Sequence, residues 1–153
     1  MIPSSEVVAR LSGKTLATAE SCTGGGIGAA LTAVPGSSQV YKGGIISYTN
    51  EIKERLLGVS PEALACYGPV SEPVARQMAE GARKALVSDI AVSVTGLAGP
   101  GGDEFGNPVG TVFIGYSDVQ VTLAREYHFE GNREEVRNAA VRAALKLILE
   151  HNP

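Results

Sequence analysis

Three candidate nucleophiles stand side by side in the stretch Thr18–Gly26. Ser21, Cys22 and Thr23 follow a short apolar run and precede three glycines. This order indicates a strand, a tight turn and the start of a helix, a layout in which glycines let the backbone approach a ligand closely. The first amides of such a helix have no partner within it and point at whatever lies in front of them. We therefore expect Ser21 to be a nucleophile that this turn presents to a substrate.

Cys22 is the rival nucleophile in the same turn, because a thiol at a helix N-terminus can have a lowered pKa. Cysteine is also a common small buried residue, and two adjacent residues of a turn do not usually both face a ligand. The residue types favour Ser21 and leave Cys22 open. A tight turn that serves packing alone is the remaining interpretation.

A serine needs a general base to attack at neutral pH. The two histidines, His128 and His151, are not placed in the sequence beside a glycine-rich turn. Lys53 is a better candidate, because it lies in the first turn of a predicted short helix, where the helix dipole and partial burial both lower the pKa of a lysine. Tyr48 ends the preceding predicted strand and could steer a proton or stack on an aromatic ligand. A solvated lysine and a sheet-end tyrosine are the ordinary alternatives.

A second glycine-rich loop follows another predicted strand and also begins with a hydroxyl residue, Thr95. It continues to Pro108 without a periodicity of its own, and loops of this length are usually functional or mobile. Ligands of open α/β sheets bind at the carboxyl ends of strands, so we expect the two loops to face one pocket. The expected substrate contacts are Thr23, Gly24, Gly25, Thr95, Gly96, Gly99 and Gly101. Arg137 is a candidate for holding an anionic group, with a solvated helix face as its alternative.

The composition is that of an ordinary globular chain. The 153 residues include 13 basic and 16 acidic side chains and have a net charge of −3, so we expect no nucleic-acid partner. No apolar run approaches the roughly 20 residues of a membrane span, and no signal peptide is visible. Two cysteines suggest neither a disulfide framework nor a metal site, which favours a cytoplasmic location. Asp103 and Glu104 do not amount to a metal site, and we predict neither a metal nor a cofactor.

The predicted elements alternate as in an α/β protein. Their order is α-β-α-β-α-α-α-β-β-β-α, which favours one domain over residues 1–153. We predict a three-layer α/β/α sandwich around a mixed, mostly parallel five-stranded sheet.

Several local signals predict where individual elements begin. One helix should start near Gly24, and Asn50 is the expected N-cap of the helix that carries the candidate lysine. Clean alternation over residues 119–129 predicts an edge or antiparallel strand with one wet face. Asn132 and Glu135 predict a capping box at the start of the last helix.

Seven stretches of the sequence occur in the order and spacing of a known family. They are Ala19–Gly25, Gly36–Ser38, Ser47–Lys53, Gly68–Glu72, Thr95–Gly102, Pro108–Val112 and Gly131–Arg137. These stretches resemble the C-terminal domain of CinA, the competence/damage-inducible protein, and cover nearly the whole chain. The chain looks like the stand-alone, PncC-type form of that domain. Active members of the family are nicotinamide-nucleotide amidohydrolases, which convert nicotinamide mononucleotide and water to nicotinate mononucleotide and ammonia in pyridine nucleotide recycling.

The resemblance also implies roles for individual residues. The serine nucleophile of the family falls on Ser21, its lysine base on Lys53 and the tyrosine of its second motif on Tyr48. The resemblance implies a small-molecule substrate, no metal and a homo-oligomer. Two alternatives stay open: a non-catalytic nucleotide-binding module that serves DNA uptake or damage responses, and an amidase for another small amide.

Overall fold

A five-stranded mixed sheet forms the centre of the computed structural model, which describes residues 3–153. Its strands are β1 (Leu16–Glu20), β2 (Tyr41–Ile46), β3 (Ile90–Gly96), β4 (Thr111–Ser117) and β5 (Thr122–His128). Their spatial order is β2-β1-β3-β4-β5. β1 is parallel to β2 and β3, whereas β4 is antiparallel to β3 and β5. Four strands therefore point the same way, as the predicted mostly parallel sheet requires.

Helices cover both faces of this sheet. Within residues 3–153 they are α1 (Pro3–Arg10), α2 (Gly26–Thr32), α3 (Asn50–Leu57), α4 (Pro61–Tyr67), α5 (Glu72–Leu86) and α6 (Arg133–His151). α1, α2 and α6 enclose one apolar cluster on one face, and α3, α4 and α5 enclose another on the opposite face. The predicted three-layer α/β/α arrangement is confirmed.

The two faces of the central strands differ in the size of their side chains. Successive side chains of a strand point to opposite faces. The face toward α6 carries large apolar residues, whereas the face toward α5 carries small ones such as Ala17 and Ala19. Small residues let α5 approach closely, so that the Ser93 hydroxyl donates to the Ala75 carbonyl oxygen at 2.6 Å. The close contact holds β3, and thus the loop after it, firmly against α5.

Two predicted helix starts are wrong by two residues and one residue. α2 begins at Gly26 and not near Gly24, because Gly24 and Gly25 have φ values of 60° and 102° and form the turn after β1. The N-cap of α3 is Thr49, whose hydroxyl oxygen accepts a backbone amide at 3.3 Å, so Asn50 is the first helical residue. Residues with positive φ cannot belong to a right-handed helix, so α2 starts only after Gly25.

The predicted edge strand and capping box of the C-terminal third are confirmed, but the strand is shorter than the predicted 119–129. β5 is antiparallel to β4 and lies at the edge of the sheet. It starts at Thr122, because a turn closed by the Asp118 amide and the Val121 carbonyl, 2.9 Å apart, precedes it. Asn132 and Glu135 form the capping box, with each side chain accepting the backbone amide of the other at 2.9 Å.

Gly81 lies where α5 crosses the end of α3, and a Cβ atom at this position would clash with the Leu57 carbonyl oxygen. In a helix interior, alanine is more favourable than glycine by about 1 kcal/mol. We nevertheless expect Gly81→Ala to lower the free energy of unfolding by about 1–3 kcal/mol, because backbone must move to admit the methyl group. Urea denaturation measures this change. Lys84→Ala, exposed on the same helix, is the control and should stay within roughly 0.5 kcal/mol. A stabilised Gly81→Ala variant would contradict the close packing.

Candidate active site

One cavity of about 300 Å³ lies at the carboxyl ends of β1 and β3, between the two glycine-rich loops. Its lining includes seven predicted site residues: Ser21, Tyr48, Lys53, Thr95, Gly96, Gly99 and Gly101. It also includes Cys22, Pro69, Val70, Leu97, Ala98 and Arg133. The loops meet because β1 and β3 are parallel neighbours, so that their carboxyl ends reach the same edge of the sheet.

Lys53 reaches Ser21 from the first half of α3. Its Nζ donates to Ser21 Oγ at 3.1 Å and to the carbonyl oxygens of Ser47 and Tyr48 at 2.8 and 3.3 Å. Both side chains are buried, with Lys53 only 1% exposed and Ser21 7% exposed. An ammonium has three protons for these three acceptors. A neutral amine keeps two, which the carbonyls can accept, and its lone pair is then left for the Ser21 hydroxyl proton.

Burial lowers the pKa of Lys53 from 10.5 to about 8, because the ammonium loses its hydration, and Cys22 has a smaller opposing effect. The direction is the one that the sequence predicts. At pH 7 roughly one tenth of such a lysine is neutral. A fraction of this size is sufficient for general-base catalysis, which works best when the pKa of the base is near the working pH.

Neighbouring backbone holds the nucleophile turn, which we define as residues 21–25. The Ser21 amide donates to the Val94 carbonyl oxygen at 3.0 Å, and the Gly24 amide closes the turn on the Ser21 carbonyl oxygen at 3.1 Å. On the other side, the Ser47 amide donates to the Glu20 carbonyl oxygen at 2.7 Å. β1 thus lies between the strand of the second glycine loop and the connection that leads to Lys53.

The first amides of α2 bind Glu20 and not a ligand, which corrects one expectation from the sequence. The Ile27 and Gly28 amides donate to the two carboxylate oxygens of Glu20 at 2.9 and 3.0 Å. The Thr23 hydroxyl donates to the same carboxylate at 2.7 Å. Residues 23–25, predicted as substrate contacts, lie outside the cavity lining. The helix end is already occupied by a carboxylate from the chain itself.

The arginine at this cavity is Arg133, whereas Arg137 is outside its lining. Arg133 donates from Nη1 to the Gly99 carbonyl oxygen at 2.6 Å and from Nη2 to the Tyr48 hydroxyl at 3.4 Å. Arg137, one helical turn later, donates to two carbonyl oxygens of the nucleophile turn at 2.9 and 3.2 Å. Arg133 is not among the predicted site residues. The available signal is its position beside the capping box, which places it at the helix end nearest the loops.

Cys22 lines the cavity, but its surroundings disfavour the thiolate. Burial raises the pKa of its thiol to about 11, and this effect exceeds the opposite influence of its own amide and of Arg137, Lys53 and Arg133. A cysteine nucleophile acts as the thiolate. The geometry therefore favours Ser21, which has a base at hydrogen-bond distance.

Other candidates from the sequence have structural roles or lie elsewhere. The Asp103 carboxylate accepts the amides of Phe105 and Asn107 at 3.1 and 2.9 Å and so shapes its own loop. His128 and His151 are outside the cavity lining.

In the described part of the chain, no group of three or more His, Cys, Asp or Glu residues is placed to hold a metal ion. Every helix within residues 3–153 is too short or too polar to span a bilayer.

Comparison with known proteins places this chain within a family. The family model described as CinA C-terminal domain matches residues 4–151. A CinA-like protein from Thermosynechococcus vestitus is 51% identical over 148 residues, which cover 93% of this chain and 36% of that protein. A CinA-like protein from Geobacter is 51% identical over 128 residues, which cover 84% of this chain and 31% of that protein. The chain spans about a third of the length of these curated relatives.

Solved structures agree over the whole fold. A competence-damaged protein (CinA) superfamily protein from Escherichia coli is 37% identical, with a TM-score of 0.95 over 97% of this chain and 88% of that chain. A competence/damage inducible protein from Agrobacterium tumefaciens is 40% identical, with a TM-score of 0.92 over 99% of this chain and 96% of that chain. From its sequence and from its fold, the chain belongs to the CinA C-terminal domain family.

Proposed function

We propose that this chain hydrolyses the carboxamide of nicotinamide mononucleotide, with Ser21 as the nucleophile and Lys53 as the general base. The observation that carries the proposal is the 3.1 Å contact between Lys53 Nζ and Ser21 Oγ inside a cavity. The substrate follows from the resemblance of the motifs to nicotinamide-nucleotide amidohydrolases. A cavity of about 300 Å³ is at the lower end of the range for small-molecule sites, roughly 300–1,000 Å³.

The proposed reaction proceeds through an acyl-enzyme. Neutral Lys53 accepts the Ser21 hydroxyl proton while Oγ attacks the carboxamide carbon and forms a tetrahedral intermediate. The lysine then delivers this proton to the amide nitrogen, the C–N bond breaks, and ammonia leaves. Water, activated by the same amine, attacks the ester and releases the carboxylate and the Ser21 hydroxyl. Only water is consumed, and the cationic pyridinium makes the carboxamide carbon more electrophilic.

The tetrahedral oxyanion needs a hydrogen-bond donor near Ser21. The Gly24 amide is already bound to the Ser21 carbonyl oxygen, and residues 23–25 are outside the cavity lining. We therefore assign the oxyanion to the amide of Cys22, a residue of the cavity lining. The amide of the residue after the nucleophile has this role in other serine hydrolases that present the serine on a sharp turn. Such a donor contributes about 3–4 kcal/mol to the lowering of the barrier.

The phosphate of the substrate is assigned to Arg133. Its guanidinium has five N–H groups. It donates hydrogen bonds to two protein acceptors, the Gly99 carbonyl oxygen and the Tyr48 hydroxyl. A dianionic phosphate is a stronger acceptor than either of these uncharged oxygens. Tyr48, 63% exposed, then lies at the cavity entrance beside the same group.

A second candidate function is a non-catalytic nucleotide-binding module linked to competence or DNA-damage responses. The names of the related proteins, competence-damaged and competence/damage inducible proteins, favour it. Such a module would bind the nucleotide in the same cavity and leave the amide bond intact. Calorimetric binding of nicotinamide mononucleotide without ammonia release would support it.

Ser21→Ala and Lys53→Met test the dyad directly. Each change is expected to lower kcat for ammonia release from nicotinamide mononucleotide at least about 1,000-fold, because nucleophile and base act as a unit. Ser12→Ala and Lys146→Met, both exposed, are the matched controls and should keep the wild-type rate. An active Ser21→Ala variant beside an inactive Cys22→Ala variant would assign the attack to the thiol.

The pH dependence of kcat/KM reports the free-enzyme base. Because only the neutral amine can accept the Ser21 proton, and burial lowers the pKa of Lys53 to about 8, log kcat/KM should rise with unit slope up to about pH 8. Above that pH the profile should level off. A stopped ammonia assay over pH 6–10 measures it. A rate that does not change between pH 6 and pH 9 would contradict a lysine base.

Arg133→Ala tests how the substrate phosphate is held. Loss of hydrogen bonds to a charged group costs roughly 1.5–3 kcal/mol, so KM for nicotinamide mononucleotide should rise about 10- to 100-fold. The riboside lacks the phosphate, and its KM should change much less. Arg142→Ala, exposed on the same helix, serves as the control. Equal losses for both substrates would contradict the phosphate assignment and support an amidase for another small amide.

A further inference from the structure

The Glu20 carboxylate is buried immediately before the nucleophile, with 2% of the residue exposed. Its Oε1 accepts the Thr23 hydroxyl at 2.7 Å and the Ile27 amide at 2.9 Å. Its Oε2 accepts the Gly28 amide at 3.0 Å and the Thr18 hydroxyl at 3.4 Å. One side chain thus joins β1, the nucleophile turn and the first turn of α2.

The surroundings of the Glu20 side chain require two hydrogen-bond acceptor atoms on it. The two backbone amides, of Ile27 and Gly28, bind different oxygens of Glu20. A backbone N–H can only donate, so both atoms that it meets must accept. A carboxylate offers two acceptor oxygens, whereas the amide of glutamine offers one oxygen and one NH₂ donor group. Glutamine would therefore leave one buried amide facing another donor.

Two glycines make room for this polar cluster. A Cβ atom at Gly28 would lie 2.8 Å from the Tyr41 hydroxyl and 3.6 Å from Glu20 Oε2. A Cβ atom at Gly44 would clash with Thr18 Oγ1 and lie 2.6 Å from the same tyrosine hydroxyl. Tyr41 and Thr18 are themselves joined by a hydrogen bond of 2.7 Å. The cluster is thus enclosed by close backbone on α2 and β2, which leaves Glu20 little freedom to move.

The main chain of Glu20 is linked to Lys53, the other half of the dyad, through Ser47. Its carbonyl oxygen accepts the Ser47 amide at 2.7 Å, and the Ser47 carbonyl oxygen accepts Lys53 Nζ at 2.8 Å. The side chain of Glu20 anchors the turn that carries Ser21, and its backbone anchors the connection that orients Lys53. Displacement of this one residue would change both ends of the 3.1 Å contact between Ser21 Oγ and Lys53 Nζ.

We propose that Glu20 is a positioning residue that holds Ser21 Oγ at hydrogen-bond distance from Lys53 Nζ through its contacts with α2 and Ser47. The expected effect of Glu20 on kcat rests on the proposed function. Its expected effect on the Ser21 Oγ–Lys53 Nζ separation does not. Glu20 touches neither the substrate cavity nor the reacting atoms.

Glu20→Gln is the test, read by a crystal structure and by steady-state kinetics. The Ser21 Oγ–Lys53 Nζ separation is expected to exceed hydrogen-bond range, about 3.5 Å. Displacement of catalytic groups by about 1 Å can cost 100-fold, so kcat should fall by about that factor. KM for nicotinamide mononucleotide should stay within about threefold, because Arg133 and the second glycine loop are unchanged. Glu62→Gln, an exposed carboxylate on α4, is the matched control.

A milder variant covers the case in which Glu20→Gln does not fold. Thr23→Val removes one donor to Oε1 and keeps both backbone contacts, so the protein should fold with a smaller loss of kcat, roughly tenfold. Thr23→Ser restores the hydroxyl and should retain more activity than Thr23→Val. Wild-type kcat in Thr23→Val would then overturn the proposal.

An unchanged Ser21–Lys53 separation in folded Glu20→Gln overturns the proposal whatever the kinetics. A loss that appears in KM with kcat retained also overturns it, because a misplaced nucleophile slows the chemical step. If the wild-type protein releases no ammonia from nicotinamide mononucleotide, the proposed function fails. The separation in the variant still decides the role of Glu20.

Discussion

The Lys53 amine is buried among three uncharged oxygen acceptors, and the arrangement of the site follows from the cost of that burial. Hydrogen bonds to Ser21, Ser47 and Tyr48 satisfy its protons. They do not neutralise its charge, and loss of hydration lowers its pKa from 10.5 to about 8. At neutral pH the protonated lysine therefore costs the folded state about 3 kcal/mol. A perturbed pKa of this kind in a cavity is a mark of functional sites.

The orientation of Glu20 keeps its carboxylate on other partners than the Lys53 amine. A carboxylate beside Lys53 would favour the ammonium, raise the pKa of the lysine and reduce its neutral fraction. Glu20 precedes Ser21, yet its carboxylate is turned to the amides of α2. The negative charge thus stabilises the positive end of a helix. The Glu20 carboxylate and the Lys53 amine thus have separate hydrogen-bond partners, and both are buried without forming an ion pair.

Much of the fold can be predicted from the sequence, because the signals are local. Glycines with positive φ, capping residues and alternating strands each act over a few neighbours, and they indicate the element order and the mixed sheet. The turn at Ser21 and the position of Lys53 at the start of α3 are visible for the same reason, and the family resemblance singles out these two residues among the candidates. One error in an element bound lies where neighbouring signals compete, namely Thr49 and Asn50 at the cap of α3.

The sequence by itself determined which residue types stand at the ends of which strands, since helix and strand periodicities and turn residues are properties of short segments. The tertiary structure alone decided which of these side chains meet. Arg133 reaches the cavity and Arg137 supports the nucleophile turn from outside its lining, because the packing of α6 on the sheet sets their reach. Likewise, Lys53 and Ser21 are 32 positions apart in the sequence. The pairing of β1 with β2 brings them together in space.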